Sequence, residues 1–136
     1  MGNPFVHIEL HSGDVKAAKK FYRGLFDWKL EDQKMGPGMV YTTIGVGKGT
    51  AGGMMAKSAE EPAAWLPYVL VDDVDKTVAK ARKLGANLIV PGADIPGVGR
   101  FGIFLDPSGA AIGVFQAKRR APARKPAAKA RTPKRK

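Results

Sequence analysis

The residues whose types and spacing could do chemistry stand together near the N-terminus, in Phe5-Val6-His7-Ile8-Glu9-Leu10-His11. Alternation puts Phe5, His7, Glu9 and His11 on one side of a strand and Val6, Ile8 and Leu10 on the other. At i and i+2, His7 and Glu9 share a face and reach one ligand. A carboxylate among aromatic side chains has its proton affinity raised toward a useful range, so Glu9 is the candidate base and His7 the candidate acid or hydrogen-bond donor. The same alternation also describes the wet side of an antiparallel strand, which needs no chemistry. With no cysteine in 136 residues, disulfides, thiolate catalysis and zinc-thiolate sites are excluded.

This strand opens a unit that occurs twice. Asp14 follows a Ser-Gly turn and precedes Val15, Ala18, Phe21, Tyr22 and Leu25, an apolar stripe at helical spacing with an N-cap in front. Gly24 marks the expected helix end. The pattern returns in the run from Trp65 to Leu88, where Asp73-Val74 stands in place of Asp14-Val15, an offset of 73 − 14 = 59 residues. Two copies at that period read as a duplicated module instead of a solenoid. Around them the β-branched and aromatic runs Met39–Val46, Ala51–Ala56, Asn87–Val90, Arg100–Leu105 and Ala110–Phe115 read as strands. Turns are marked by Gly36-Pro37-Gly38, by Gly47 to Gly49 and by Asp106-Pro107-Ser108-Gly109, and a loop is expected from Pro91. Each half is then strand, helix and three strands. The expected fold is α+β, two βαβββ modules in one open, curved mixed sheet, with modules at about residues 3–57 and 64–116. Two helices cover one face and leave the other free to curl around a ligand.

The net charge of +11 belongs to the C-terminal end. Ten basic residues (Lys118, Arg119, Arg120, Arg124, Lys125, Lys129, Arg131, Lys134, Arg135 and Lys136) lie there with no acidic one, which leaves 23 − 10 = 13 basic against 12 acidic residues elsewhere. The run 117–136 is Ala, Pro, Lys and Arg with one Thr and no aromatic or branched apolar side chain, so it is read as a disordered tail beyond a domain of residues 1–116. Such a tail neutralises phosphates without reading bases, so non-specific nucleic acid is one expected partner and a solvated appendage the plain alternative. No run is long and apolar enough to span a bilayer and no leader pattern opens the chain, so a cytoplasmic location is expected. Gly45-Val46-Gly47-Lys48-Gly49-Thr50 lacks the Lys-Ser/Thr step and following helix of a phosphate loop.

The arrangement resembles the vicinal oxygen chelate superfamily, the glyoxalase, bleomycin-resistance and extradiol dioxygenase group, and in particular predicted enzymes related to lactoylglutathione lyase. The resemblance is carried over roughly Asn3 to Gln116 by His7-Ile8-Glu9-Leu10, Asp14 with Phe21-Tyr22 and Phe26-Asp27-Trp28, Gly49 to Met54, Trp65 with Tyr68, Val71 to Val74, Asp94 to Arg100, and Asp106 to Ala110. It implies a concave ligand face, a homodimer and, in metal-using members, four His, Glu or Gln ligands from the first and last strands of each module. Those positions map to His7, to Gly53 or Met54, to Leu66 and to Gly113. Three of the four lack a donor, so no cofactor is expected and the relatives' metal chemistry is not carried over.

On the concave face the expected ligand-binding residues are His7, Glu9, Leu66 and Tyr68, with Met54, Trp65, Arg100 and Phe101 at its rim. They would hold a small, partly apolar organic molecule. Arg100, in the glycine-rich run Gly92 to Gly102, would meet an anionic ligand from a mobile lid. Three functions follow: a metal-independent lyase- or isomerase-like enzyme, a ligand-sequestering protein of the antibiotic-resistance type, and a nucleic-acid-associated accessory acting through the tail.

Overall fold

In the computed structural model, which describes residues 2–118, the chain runs β1 (Phe5–Ser12), α1 (Val15–Leu25), β2 (Lys29–Gly36), β3 (Met39–Gly45), β4 (Gly52–Ala56), β5 (Ala64–Leu70), α2 (Val74–Lys83), β6 (Asn87–Ile95), β7 (Gly99–Leu105) and β8 (Ala111–Ala117). The eight strands form one curled sheet in the order β2-β3-β4-β1-β5-β8-β7-β6. That order is the same read outward from the centre in either direction, which is the signature of two βαβββ modules joined by their first strands. β1 and β5 pair antiparallel at the join, with Glu9 opposite Leu66. Within each module the first and last strands run parallel, β1 with β4 and β5 with β8, as a helical crossover requires.

The two caps obey the 59-residue offset. Asp14 accepts from Ala17 N at 3.0 Å and Asp73 from Lys76 N at 3.1 Å, each satisfying a first-turn donor that the helix leaves unpaired. The helix ends differ. Gly24 lies inside α1, which stops at Phe26 in extended conformation, whereas α2 closes through Gly85 at φ +104°. Two strand expectations change as well. Lys29–Gly36 is a strand although its residues are nearly all polar, because as an edge strand it buries almost nothing and needs no apolar face. β6 runs on through Pro91 to Ile95, with register shifts between Leu88 and Ala93 that take up the missing donor.

The core lies on the helix side of the sheet in two clusters. Leu10, Ile44 and Met54 pack with Val15, Ala18, Tyr22, Trp28 and Leu30 under α1, and Val74, Val78 and Val114 pack with Leu88 and Phe104 under α2. Thr42, fully buried, donates to Asp32 at 2.7 Å, and Lys19 reaches the same carboxylate from α1 at 3.0 Å. Because Met54 is wholly enclosed, Met54→Ala is expected to cost about 2–5 kcal/mol in urea unfolding, the range for emptying a packed site.

Candidate functional site

β1 sends Leu10 to the helix-side core and, by alternation, Glu9 to the concave side. Glu9 is 8% exposed, an unusual place for a carboxylate, and donors surround it. Tyr41 Oη donates to Oε2 at 2.7 Å, Tyr68 Oη donates to Oε1 at 3.1 Å, and His11 Nε2 lies 2.7 Å from Oε1. Tyr41 in turn meets His7, with Nε2 2.5 Å from Oη. On its outer side His11 Nδ1 lies 3.1 Å from Glu61 Oε2, and Glu61 Oε1 accepts from Ser58 N at 2.7 Å. A chain of polar contacts therefore runs from the connector between β4 and β5, through His11 and Glu9, to Tyr41 and His7.

The tyrosines reach Glu9 because two glycines let them. Gly53 stands opposite Glu9 in β4, and a Cβ there would overlap the Tyr41 ring. Gly113 stands opposite Tyr68 in β8, and a Cβ there would overlap the Tyr68 ring. The positions that carry metal ligands in metal-using relatives are thus floors for aromatic rings. A divalent ion does not fit this donor set: Leu66, Gly53 and Gly113 offer nothing, and Glu9 Oε2 is 3.7 Å from His7 Nε2 with the Tyr41 hydroxyl bonded to both. Among the described residues no group of three His, Asp or Glu side chains is arranged to hold a metal.

The electrostatics correct one expectation. Burial alone pushes the Glu9 carboxyl up, but the hydrogen bonds from His11, His7 and Tyr41 outweigh it and hold the group far below the usual carboxylate range. Glu9 is an anion at any ordinary pH, a poor base in this setting and a strong anchor. His11 moves up: its hydrogen bond to Glu9 dominates, burial opposes it, and Glu61 adds to it. Tyr41 and Tyr68 are pushed up by burial and then by the Glu9 charge, so both stay protonated donors.

Of the other expected site residues, Tyr68 and Phe101 share the concave side, their ring centroids 6.3 Å apart, and Leu66 faces Glu9 across the β1–β5 pair. Three lie elsewhere. Met54 is in the helix-side core, and Trp65 packs edge-on against Tyr22 and Trp28 on the same side, because neighbours of concave-facing Gly53 and Leu66 must point the other way. Arg100 is bound to Asp75 of α2 at 2.8 Å and to Asp94 at 3.0 Å, so it does not meet an anionic ligand on the concave face. The run expected to form a lid is the β6–β7 hairpin. Tyr41, His11 and Glu61 complete the site without having been singled out. Tyr41 is placed by the pairing of Thr43 with Gly53, a long-range register that no local period reports. The expected tail contacts of Arg119 to Lys136 lie outside the described residues. Lys118 N donates to Val98 O at 3.0 Å.

A curled sheet of paired βαβββ modules with a polar cluster on its hollow side defines a glyoxalase-type protein. Residues 5–114 match the Glyoxalase/Bleomycin resistance protein/Dioxygenase superfamily, and the chain belongs to it. Its curated relatives include CFP32 of Mycobacterium tuberculosis, whose assignment as a glyoxylase is provisional, at 39% identity over 117 residues. They also include the anthracycline biosynthesis protein DnrV of Streptomyces peucetius, at 30% identity over 131 residues. These matches cover 82% and 80% of this chain but 45% of either relative, so the chain spans about half their length. Among solved structures, methylmalonyl-CoA epimerase from Mycobacterium tuberculosis superposes with a TM-score of 0.63 at 16% identity, covering 85% of this chain and 88% of that one. The Bacillus halodurans protein BH1468 gives 0.67 at 15%, covering 89% and 99%. At such identities the likeness is one of fold. No described helix is long and apolar enough to cross a membrane.

The imidazole between two carboxylates sets a pH dependence. His11 gains proton affinity on folding, so its stabilisation is whole below its unfolded value of about 6.5 and is lost as pH rises through the higher folded value. Glu9 runs the opposite way, contributing above about 4.3 and losing its contribution only as pH falls through its depressed value. Thermal melts between pH 5 and 9 are expected to show a loss on the alkaline side that His11→Gln abolishes, the difference being on the order of 1–2 kcal/mol.

Proposed function

We propose that the concave face binds a small, neutral, oxygenated planar molecule and that His7 moves a proton on it in a metal-independent isomerase- or lyase-like reaction. The observation that carries this reading is the chain from His7 Nε2 through Tyr41 Oη to the buried Glu9 carboxylate. Tyr41 spends its hydrogen on Glu9, so its oxygen accepts from His7 Nε2–H, and that fixes the tautomer in which Nδ1 carries the lone pair. Among the described residues nothing hydrogen-bonds Nδ1. His7 is 32% exposed while Glu9 is enclosed, so the imidazole is the member of the chain open to a ligand. A base oriented by a second group, itself oriented by a buried carboxylate, is the general arrangement of an activated base. In the proposed step Nδ1 takes a proton from carbon or oxygen of the ligand, the bonding pair stays on the ligand, and the imidazolium charge is stabilised through Tyr41 by Glu9. Return of the proton at another atom completes an isomerisation, while departure of a leaving group completes an elimination.

Two features support the ligand class. Tyr68 and Phe101 offer ring faces beside His7, and the one arginine expected there is committed to Asp75 and Asp94 on the other side of the sheet. The anthracycline-pathway name of DnrV is consistent with a fused-ring ligand. Ligand sequestration is a second reading, favoured by those same rings, which bind whether or not a proton moves.

An anthraquinone aglycone is the probe. Amide shifts in the labelled full chain are expected at Tyr68 and Phe101. With any turned-over member of an aglycone panel, His7→Ala is expected to lower kcat at least 100-fold with affinity changed less than about threefold, and Glu9→Gln to lower it 10- to 100-fold. Binding with no turnover by any aglycone selects sequestration, and no shift at either ring overturns the ligand class. Calorimetric titration with Zn2+, Ni2+ and Mn2+ is expected to give no stoichiometric binding, and a site lost on His7→Ala would overturn the metal-free reading.

A further inference from the structure

Neither helix covers the middle of the sheet. α2 lies over β6, β7 and β8, and α1 lies toward β2 and β4, which leaves the helix side of β1 and β5 open at the join between modules. Ile8 points to that side: it pairs with Gly52, whose Cβ direction meets Ile44 of the α1 core. In the central strand pair of an eight-stranded sheet, Ile8 and Trp65 are nevertheless each 37% exposed. They continue into Phe21 and Leu25 of α1, 62% and 57% exposed, and Phe26 just beyond it. Tyr22, which packs against Phe21, Phe26 and Trp65, ties the strip together. The asymmetry is internal as well, since α2 buries Val74 and Val78 whereas α1 buries no residue fully.

We propose that this strip (Ile8, Phe21, Leu25, Phe26 and Trp65) is the contact through which a second copy of the chain packs back to back. Five large apolar side chains at these exposures present on the order of 400 Å² of apolar surface, about half of the ~800 Å² that each partner contributes to a stable interface, with a polar rim supplying the rest. Charge decides the occupant. None of the five carries a charge, so a twofold that lays the strip on itself brings no like charges together at its centre. The cations of α1 lie round the helix: Lys19 reaches Asp32 on the β2 side, while Phe21, two residues on, is turned by about 200°. An anionic nucleic acid or lipid surface finds no cation within the strip, and the Lys/Arg/Pro/Ala tail has no large apolar side chain with which to fill it. The concave face, on the opposite side of the sheet, stays open to its ligand in such a dimer.

Sedimentation velocity of the full chain across a concentration series tests this. A dimer is expected whose dissociation constant rises at least tenfold in Phe21→Asp and in Leu25→Asp, with thermal melts confirming that these surface variants still fold. Met39→Asp, at the exposed far edge of the sheet, is the control expected to leave it unchanged. A monomer at every concentration, or a dimer weakened by the Met39 variant and indifferent to the Phe21 and Leu25 variants, overturns the proposal. So does retention on a single-stranded oligonucleotide or on phosphatidylserine vesicles that disappears in those two strip variants. Because the readout is mass and no ligand is involved, its outcome is independent of the reaction proposed for His7.

Discussion

A negative charge kept out of water is the constraint around which the hollow side of this protein is arranged. A lone carboxylate at the depth of Glu9 costs several kcal/mol and normally takes up a proton instead. Here two phenols and an imidazole point at it, and a second imidazole backs one of the phenols, so the ionised form is the stable one. Each donor belongs to a different part of the chain: His7 and His11 to β1, Tyr41 to β3 and Tyr68 to β5. Removing the charge would leave several hydroxyl and ring donors without an acceptor, and removing a donor would strand part of the charge. The cluster therefore holds the two modules in register from the concave side while the helix-side clusters hold them from the other.

The same constraint explains the departure from metal-using relatives. In a bare curled sheet the inner ends of β1, β4, β5 and β8 converge, and side chains there either share an ion or share one another. Glycine at 53 and 113 removes two would-be ligands and opens the space in which Tyr41 and Tyr68 lie flat. A cation is then replaced by an internal hydrogen-bonded anion. The chemistry available changes accordingly, from Lewis-acid polarisation to proton movement at an imidazole whose orientation is set from behind.

The proposed dimer and the proposed reaction occupy opposite faces of one sheet, so each can vary without the other. The apolar strip sits where two helices, one per module, are too narrow to roof the two strands that join the modules. A duplicated fold built from first-strand pairing carries this gap at its centre, and the residues filling it, Ile8 and Trp65, are ones that water does not favour.

Local chemistry dictated much of this architecture. The Asp14 and Asp73 caps, the 59-residue echo and the alternation in β1 are short-range signals, and they were enough to read the doubled module and to place His7 and Glu9 on one face. The misreadings came where local signals are silent. Lys29–Gly36 is a strand only because β3 pairs with it, and Pro91 sits inside a strand only because bulges absorb it. Met54, Trp65 and Arg100 were assigned to the concave rim although the parity of their neighbours sends them to the helix side.

What the sequence by itself determined is the fold and the identity of one buried acid, because caps, periodicity and a repeat act over a few residues and survive without neighbours. Only the tertiary structure decided what that acid is for. Its proton affinity depends on Tyr41 and Tyr68, 32 and 59 residues away. Their reach depends in turn on empty space above two glycines in other strands. Sums of long-range hydrogen bonds against burial leave no trace in any stretch of sequence short enough to read locally.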